Sequence, residues 1–275
     1  MKQEDFYKIV AGVSMLAVFV LSYGVFQLQS ADAIINPQGG FAAQPAAVEK
    51  AKISLVTIKD SSRSDYIQLD GLVQQVKALD VSVVSEKSLE FSSAEAQQLI
   101  EKYGIEKIPA VLISGETKKV SALTGNWSSL GSVESDDTLV LRNVPPIFLE
   151  LSSGKTRGLV NAIYLNVPDK NGVFPAVLFK QILGNTFGMA PAEEKTVDSN
   201  SSEGKQLIAD FNLNKIPAVI LSGDLNAYAN FEEIWKQAGS KETDGNYVFR
   251  NLEILQGLKY FDLNSSQIVE APKAA

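Results

Sequence analysis

One stretch of this chain occurs twice at a fixed distance, and this duplication constrains the fold more than any other feature. Residues 103–116 read YGIEKIPAVLISGE and residues 211–224 read FNLNKIPAVILSGD, so the second copy lies 108 positions after the first. The register continues without a gap between residues 92–143 and 200–251, where 20 of 52 positions are identical. Chance does not maintain a register over that length, and a repeat of this size indicates a duplicated structural unit. The sequence therefore predicts two similar domains of about 100 residues each.

Two residue types are missing from the whole chain, and their absence excludes most catalytic chemistry. Among the 275 residues there is no cysteine and no histidine. The chain therefore has no thiolate nucleophile, no disulfide, no Ser-His-Asp or Cys-His arrangement and none of the usual zinc or haem ligands. A net charge of -7 argues against nucleic-acid binding, which requires a basic surface. We expect a protein that is not an enzyme and holds no cofactor or metal.

The amino-terminal segment has the composition of a membrane span. Residues 9–28 form a run of 20 uncharged residues, which matches the ~20 needed to cross a bilayer. An uncleaved anchor over residues 1–28 is favoured over a signal peptide, because the apolar region of a signal peptide is usually only ~7–15 residues long. The alternative of a secreted, cleaved protein stays open, since Ala31-Asp32-Ala33 has the small-x-small form of a cleavage site.

The distribution of lysines predicts which way this span is oriented. Lys2 and Lys8 precede it, and the next lysine along the chain is Lys50. The positive-inside rule therefore predicts a cytoplasmic amino terminus, with the bulk of the protein outside the cytoplasm. Residues 29–50 are polar, small and without pattern, which predicts a flexible linker between the anchor and the folded part.

Each repeat has the alternating apolar pattern of an α/β domain. In the first repeat, residues 51–158, the pattern predicts strands at 53–58, 81–84 and 110–113 and helices at 65–78 and 93–103. A shorter helix around Trp127 and a closing β-hairpin follow. Residues 159–275 form the second repeat. We expect each repeat to form a mixed sheet flanked by helices, with a parallel first βαβ unit.

The order of a helix, a Gly or Asn turn, Ile-Pro and a buried strand resembles the second half of a thioredoxin fold. The resemblance covers residues 53–130 and 161–238, and Lys-Ile-Pro-Ala-Val is its most specific part. It implies a cis peptide bond before Pro109 and before Pro217, followed by a strand that pairs antiparallel in the sheet. The alternative is a trans proline that opens an edge strand. The repetition of the proline in the same context favours cis.

The redox motif of thioredoxin-like oxidoreductases is absent. That family has Cys-x-x-Cys after the first strand, where a helix N-terminus lowers the thiol pKa. This chain has Ser61-Ser62-Arg63-Ser64 at that point, and the second repeat has a turn around Asp169 to Gly172. Serine cannot form a disulfide. The tetrapeptide is interpreted either as an N-cap and turn, since serine is a favoured N-cap, or as a redox motif that has lost its sulfur atoms.

These observations predict a non-catalytic protein with two tandem thioredoxin-like domains, which binds a protein or peptide outside the cytoplasm as a scaffold or as a subunit of a membrane complex. The resemblance implies a groove beside the prolines in which a peptide adds as a strand. The residues predicted to border this groove are Ser61, Ser64, Ile108, Pro109, Ile216 and Pro217. The alternative is a thiol-disulfide oxidoreductase or isomerase relative whose two cysteines are replaced by Ser61 and Ser64.

Overall fold

The two repeats fold with the same order of elements. The structure, a computed structural model, describes residues 49–168 and 172–272. The chain divides into two compact units, of which one contains residues 49–144 and Phe148–Lys155 and the other contains Pro145–Ile147 and the residues from Thr156 onward.

The predicted membrane anchor, residues 1–28, lies outside the described residues, as does nearly all of the predicted linker. In the part of the chain that the structure describes, no helix combines the length and the apolar character needed to cross a membrane.

The first repeat contains eight strands and three helices. They are β1 (Ala51–Lys59), α1 (Asp70–Lys77), β2 (Val81–Glu90), α2 (Ala94–Tyr103), β3 (Lys107–Ile108), β4 (Ala110–Gly115), α3 (Ser121–Trp127), β5 (Gly131–Val133), β6 (Leu139–Leu141), β7 (Phe148–Glu150) and β8 (Lys155–Arg157).

The second repeat follows the same sequence of elements. They are β9 (Val160–Asn166), α4 (Leu178–Phe187), β10 (Glu193–Asp198), α5 (Ser202–Asp210), β11 (Lys215–Ile216), β12 (Ala218–Gly223), α6 (Phe231–Ala238), β13 (Gly239–Lys241), β14 (Tyr247–Phe249), β15 (Lys259–Asp262) and β16 (Gln267–Glu270).

Each repeat has one five-stranded mixed sheet with the same strand order. The orders are β2-β1-β4-β6-β5 and β10-β9-β12-β14-β13. β1 pairs parallel with β2 and antiparallel with β4, and β9 does the same with β10 and β12. The Ile108-Pro109 and Ile216-Pro217 bonds are both cis. The predicted parallel βαβ unit, cis bonds and antiparallel strand are confirmed, and the arrangement is consistent with thioredoxin-like folds.

Both faces of each sheet are covered by helices, which places two hydrophobic clusters in each repeat. In the first repeat α1 and α3 pack on one face, where Val73, Val76 and Trp127 join the buried side chains of β1. Helix α2 packs on the other face with Ala96, beside Ile58 and the side chains that surround Ile108. The second repeat has the same pair of clusters. Because successive side chains of a strand point to opposite faces of the sheet, each strand contributes to the hydrophobic clusters on both faces.

The sheet register shows that the repeats are related by two offsets. Ile53 of β1 pairs with Gly115, whereas Val160 of β9 pairs with Gly223. The first strands are therefore offset by 107 positions, while the glycines and everything between residues 92 and 143 are offset by 108. One position between the first strand and the second helix of the repeat accounts for the difference.

The first helix is shorter than the sequence predicts. The apolar spacing predicts a helix over residues 65–78, but α1 begins at Asp70 and ends at Lys77. Tyr66 and Leu69 are buried ahead of it. Leu69 contributes to the helical spacing, but both side chains reach the core from a loop rather than from a helix.

An arginine clamp holds each repeat together, and it explains several of the repeated residues. Arg142 donates from Nη1 to the carbonyl of Gly104 (2.8 Å) and from Nη2 to the carbonyl of Tyr103 (2.5 Å), at the end of α2. It also donates to the hydroxyl of Ser132 and to the carboxylate of Glu134, each at 2.8 Å. A cation at a helix C-terminus satisfies carbonyl groups that lack helical partners. The clamp therefore joins α2 to β5 and β6.

The second repeat has the same clamp at offset 108. Arg250 contacts the carbonyl groups of Phe211 and Asn212, the hydroxyl of Ser240 and the carboxylate of Glu242. In each repeat the serine hydroxyl, followed by the arginine, holds the pKa of the acidic residue below its usual value. The repeated Gly-Ser, Glu and Arg-Asn residues therefore have a structural role.

The repeated Ser-Gly after the proline strand also has a structural cause. Gly115 and Gly223 have φ angles of +104° and +107°. A Cβ atom at Gly115 would lie 2.5 Å from the carbonyl oxygen of Lys52, and one at Gly223 would lie 2.3 Å from that of Leu159. Only glycine permits both this backbone conformation and this close approach to the neighbouring strand.

We predict that Arg142→Gln and Arg250→Gln each lower the free energy of unfolding of their own repeat by about 1–3 kcal/mol, because a half-buried carboxylate and two carbonyl groups lose their donor. Denaturant unfolding followed by the fluorescence of Trp127 and Trp235 would report on each repeat. The control is Lys195→Gln, which removes a pair whose side chains are 58% and 47% exposed and should change the stability by less than about 0.5 kcal/mol. Equal stability of all three variants would contradict a structural role for the clamp.

Candidate binding site

A cavity of the first repeat lies where the loop after β1 passes the proline. Its volume is about 430 Å³. β1, the loop of residues 60–69, the first turns of α1, the second half of β2 and Pro109 form its walls. Ser61, Ser64 and Pro109, which the sequence predicts to border a groove, all line this cavity. The site thus combines two exposed hydroxyl groups with a buried proline.

The loop is held by hydrogen bonds between near neighbours in sequence and one contact with β2. Ser61 donates from its N–H to Glu90 at 3.0 Å and from its hydroxyl to the same carboxylate. Ser62 donates from its N–H and its hydroxyl to Asp60, at 3.0 and 2.5 Å. These contacts satisfy the polar groups of a non-helical segment, which is the usual behaviour of serine and aspartate in turns.

Arg63 completes the loop. It makes a bidentate contact with Asp65, with donor–acceptor distances of 2.8 and 2.6 Å, and its guanidinium lies 4.8 Å from the centre of the Tyr66 ring. The hydrogen bond to Arg63 lowers the pKa of Asp65. The planar guanidinium thus links the exposed loop to a buried aromatic side chain.

The predicted N-cap role of the serine tetrapeptide is wrong. Helix α1 begins at Asp70, its N-cap position is Leu69, and no side chain caps it. Five residues separate Ser64 from that helix start. The dipole effect at a helix N-terminus acts within the first turn, so neither Ser61 nor Ser64 is placed where a helix would lower the pKa of a thiol.

The charges around the cavity are balanced. Three basic and three acidic residues line it: Lys59, Arg63, Lys87, Asp60, Asp70 and Glu86. Arg63, Lys87 and Glu86 are each engaged in an ion pair. Such a mixed surface does not favour a highly charged ligand of one sign. Among the described residues, no group of three acidic side chains is arranged to hold a metal ion.

Three of the predicted site residues lie outside this cavity. Ile108 and Ile216 are buried at 0% and 2% exposure in the clusters on one face of their sheets. Pro217 is also buried. The loop that corresponds to the serine tetrapeptide in the second repeat includes Asp169 to Asn171, which lie outside the described residues. The described residues therefore form a site beside Pro109.

The backbone edge beside each proline is already paired. Ile108 of β3 pairs with Leu149 of β7, and Ile216 of β11 pairs with Phe261 of β15. The N–H of Leu151 donates to the carbonyl of Glu106 at 2.8 Å. Alternate residues of a strand direct their backbone groups to the same side, so the polar groups of Ile108 also face β7. The predicted closing hairpins thus occupy the edge that the resemblance assigns to a peptide.

Glu90 is the site residue that the sequence reasoning missed. Glu90 is the last residue of β2. β2 pairs with β1, the strand that leads into the loop of Ser61. The hydroxyl and N–H of Ser61 hold the pKa of this carboxylate below its usual value. A signal was present in the repeat, because Asp198 stands at the same position at the end of β10.

Comparison with known proteins gives a structural likeness but no family. No protein-family model and no curated protein matches the chain. A mutant of the alkylhydroperoxide reductase AhpF from Enterococcus faecalis is 19% identical, covering 63% of this chain and 83% of that chain with a TM-score of 0.22. The NTD_N/C domain of the same organism's protein is 16% identical over the same shares, also with a TM-score of 0.22. The fold is defined by the strand order and strand directions of the two sheets.

We predict that Ser61→Cys gives a thiol whose pKa lies above the ~8.5 of a free cysteine, because a carboxylate at hydrogen-bond distance disfavours the thiolate. The rate of alkylation as a function of pH measures this pKa directly, since the protein has no other cysteine. The matched control Ser61→Cys with Glu90→Gln should return the pKa to about 8.5. A thiol with a pKa below about 7 in the single variant would contradict this account of the loop.

Proposed function

We propose that this chain is a non-catalytic binding protein built from two tandem, redox-inactive thioredoxin-like domains. The cavity beside Pro109 would hold a segment of a protein partner. The observation that carries the proposal is the meeting of Ser61, Ser64 and Pro109 in one cavity of about 430 Å³ in a chain without cysteine. Disulfide exchange proceeds through thiolate attack on sulfur. A site of this fold without thiols retains shape and hydrogen-bonding groups, which suit binding.

The start of helix α1 supports binding over the oxidoreductase alternative. A reactive thiol at this point of the fold depends on the helix N-terminus to lower its pKa. Here α1 begins at Asp70, and Ser61 bonds instead to the carboxylate of Glu90. Both features oppose a thiolate at position 61. The loop of residues 60–69, the serine loop, therefore suits the recognition of a neutral segment that forms hydrogen bonds.

The partner segment would be recognised by side chains of the cavity rather than by pairing as an added strand. The closing hairpin takes the backbone edge at Ile108, so the main-chain mode of peptide binding is not open at that point. The cavity offers hydroxyl groups from Ser61 and Ser64, an amide from Gln68 and both signs of charge. A polar, extended loop with no strong net charge complements these groups.

A cavity-blocking variant tests the proposal. We expect protein partners recovered from the source membranes with the wild-type chain to be lost with Ser64→Trp, because the indole fills a cavity that the serine lines. Lys205→Trp, on the exposed surface of α5 in the second repeat, is the matched control and should retain them. Unfolding curves confirm that both variants fold.

Quantitative binding gives the decisive result. A synthetic peptide that corresponds to the captured segment should bind the Ser64→Trp variant at least about ten-fold more weakly than the wild type in calorimetry, a loss of about 1.4 kcal/mol. Equal affinity for the wild type and for Ser64→Trp would show that the partner binds elsewhere and would overturn the proposal.

We further propose that the binding domains are tethered to a membrane and face away from the cytoplasm. The support is the uncharged run of 20 residues from Ile9 to Leu28, preceded by Lys2 and Lys8. Residues 29–50 would then form a tether long enough to separate the folded repeats from the bilayer. This arrangement suits a scaffold or a subunit of a membrane complex.

We predict that the full chain stays in the membrane fraction after a carbonate wash. The double variant Leu16→Arg and Val20→Arg should move to the soluble fraction, because two arginines at the centre of a span cost several kcal/mol. Leu16→Ala with Val20→Ala is the matched control and should stay in the membrane. A mature wild-type protein that begins near Ile34 and is released into solution would instead establish the secreted alternative.

A further inference from the structure

The second repeat contains an apolar cavity that is separate from the site beside Pro109. It has a volume of about 250 Å³ and lies between α4, α6, β14 and the chain near Ile254. Aromatic rings from three of these elements form its walls, namely Phe187, Trp235 and Phe249. None of its lining residues carries a charge, although the chain as a whole is rich in acidic residues. The cavity therefore complements an uncharged, apolar molecule.

One polar group in this cavity is left without a partner. Thr186 is only 6% exposed and lines the cavity. Within residues 49–168 and 172–272, its hydroxyl makes no hydrogen bond, whereas the buried Thr117 donates to the carbonyl of Asp137 at 2.8 Å. The hydroxyl retains accessible surface, so it is free to bond to a molecule in the cavity. Thr186 and the exposed Asn185 thus supply the polar groups of a mostly apolar lining.

The first repeat shows how this space is closed when it is not needed. Ala238 of the cavity corresponds to Leu130 at offset 108, and Leu130 packs against the core of the first repeat.

The difference between Leu130 and Ala238 contributes to the cavity. The change from leucine to alanine removes apolar volume, and close-packed interiors do not collapse fully around such a loss.

We propose that this cavity binds a small neutral molecule, an aromatic ring or short aliphatic chain with a single hydroxyl or carbonyl group. The ring lies among Phe187, Trp235 and Phe249, and the polar group bonds to the hydroxyl of Thr186. An apolar cavity of about 150 Å³ holds benzene, so 250 Å³ accommodates a ring with a short substituent. Aromatic walls favour stacked or edge contacts with such a ring.

The test uses benzyl alcohol and toluene, which differ by one hydroxyl group. The two indole N–H signals of the protein, from Trp127 and Trp235, are assigned with a Trp127→Phe variant and followed during titration. We expect benzyl alcohol to shift the Trp235 signal saturably, with a dissociation constant near or below about 1 mM for so small a ligand. The Trp127 signal should stay in place. The absence of a saturable shift at Trp235, or equal shifts at both signals, would overturn the proposal.

Two variants separate the shape of the cavity from its polar group. Ala238→Leu, which restores the residue of the first repeat, should abolish binding of both probes. Thr186→Val should weaken the binding of benzyl alcohol by about five-fold and leave the binding of toluene unchanged, since only the alcohol loses a hydrogen bond. If Ala238→Leu does not fold, Ile182→Phe fills the cavity from α4 and must abolish binding instead. Binding that survives the filled variant, or equal effects of Thr186→Val on both probes, would refute the assigned site.

Discussion

In each repeat an arginine that directly follows a strand donates to the carbonyl groups at the end of a helix and to a carboxylate just beyond the neighbouring edge strand. Arg142 and Arg250 each satisfy four acceptors in this way. A planar guanidinium with five donors can serve such a set from one position, and an ammonium group cannot. The clamp joins the helix on one face to the outer strands of the sheet.

This interaction gives a structural reason for part of the sequence identity between the repeats. Gly131, Ser132, Glu134 and Arg142 recur at offset 108 because together they form or permit the clamp, and the recurring Ser-Gly fits a close approach of backbones. The two cavities lie elsewhere. One is lined by the loop of residues 60–69 in the first repeat, and the other by Ala238, where the first repeat has Leu130. The framework therefore recurs in both copies, whereas the loop of residues 60–69 and the position of Ala238 differ between them.

Sequence reasoning predicted the framework because the framework is local and periodic. The strands, the second helix of each repeat and the cis prolines followed from apolar spacing and from the repetition itself. The start of α1 did not follow, since Leu69 is apolar at helical spacing but is buried from a loop held by Asp60, Arg63 and Glu90. The apolar cavity also escaped prediction. Its volume depends on side chains from two helices and a strand, and no single segment contains that information.

The closing hairpin of each repeat pairs with the short strand that precedes the cis proline. A two-residue strand such as β3 gains little from its own pairing, and its partner β7 lies about forty residues further along the chain. Pairing of β7 with β3 nevertheless covers backbone groups that would otherwise need water or a ligand. A fold that uses this edge for its own stability gives up the least selective mode of peptide recognition, because main-chain pairing is open to many sequences. In the proposed binding mode, recognition beside Pro109 would then come from side chains of the serine loop. Such a site would be specific to the first repeat, since the hydroxyl groups of Ser61 and Ser64 have no equivalents at the aligned positions of the second.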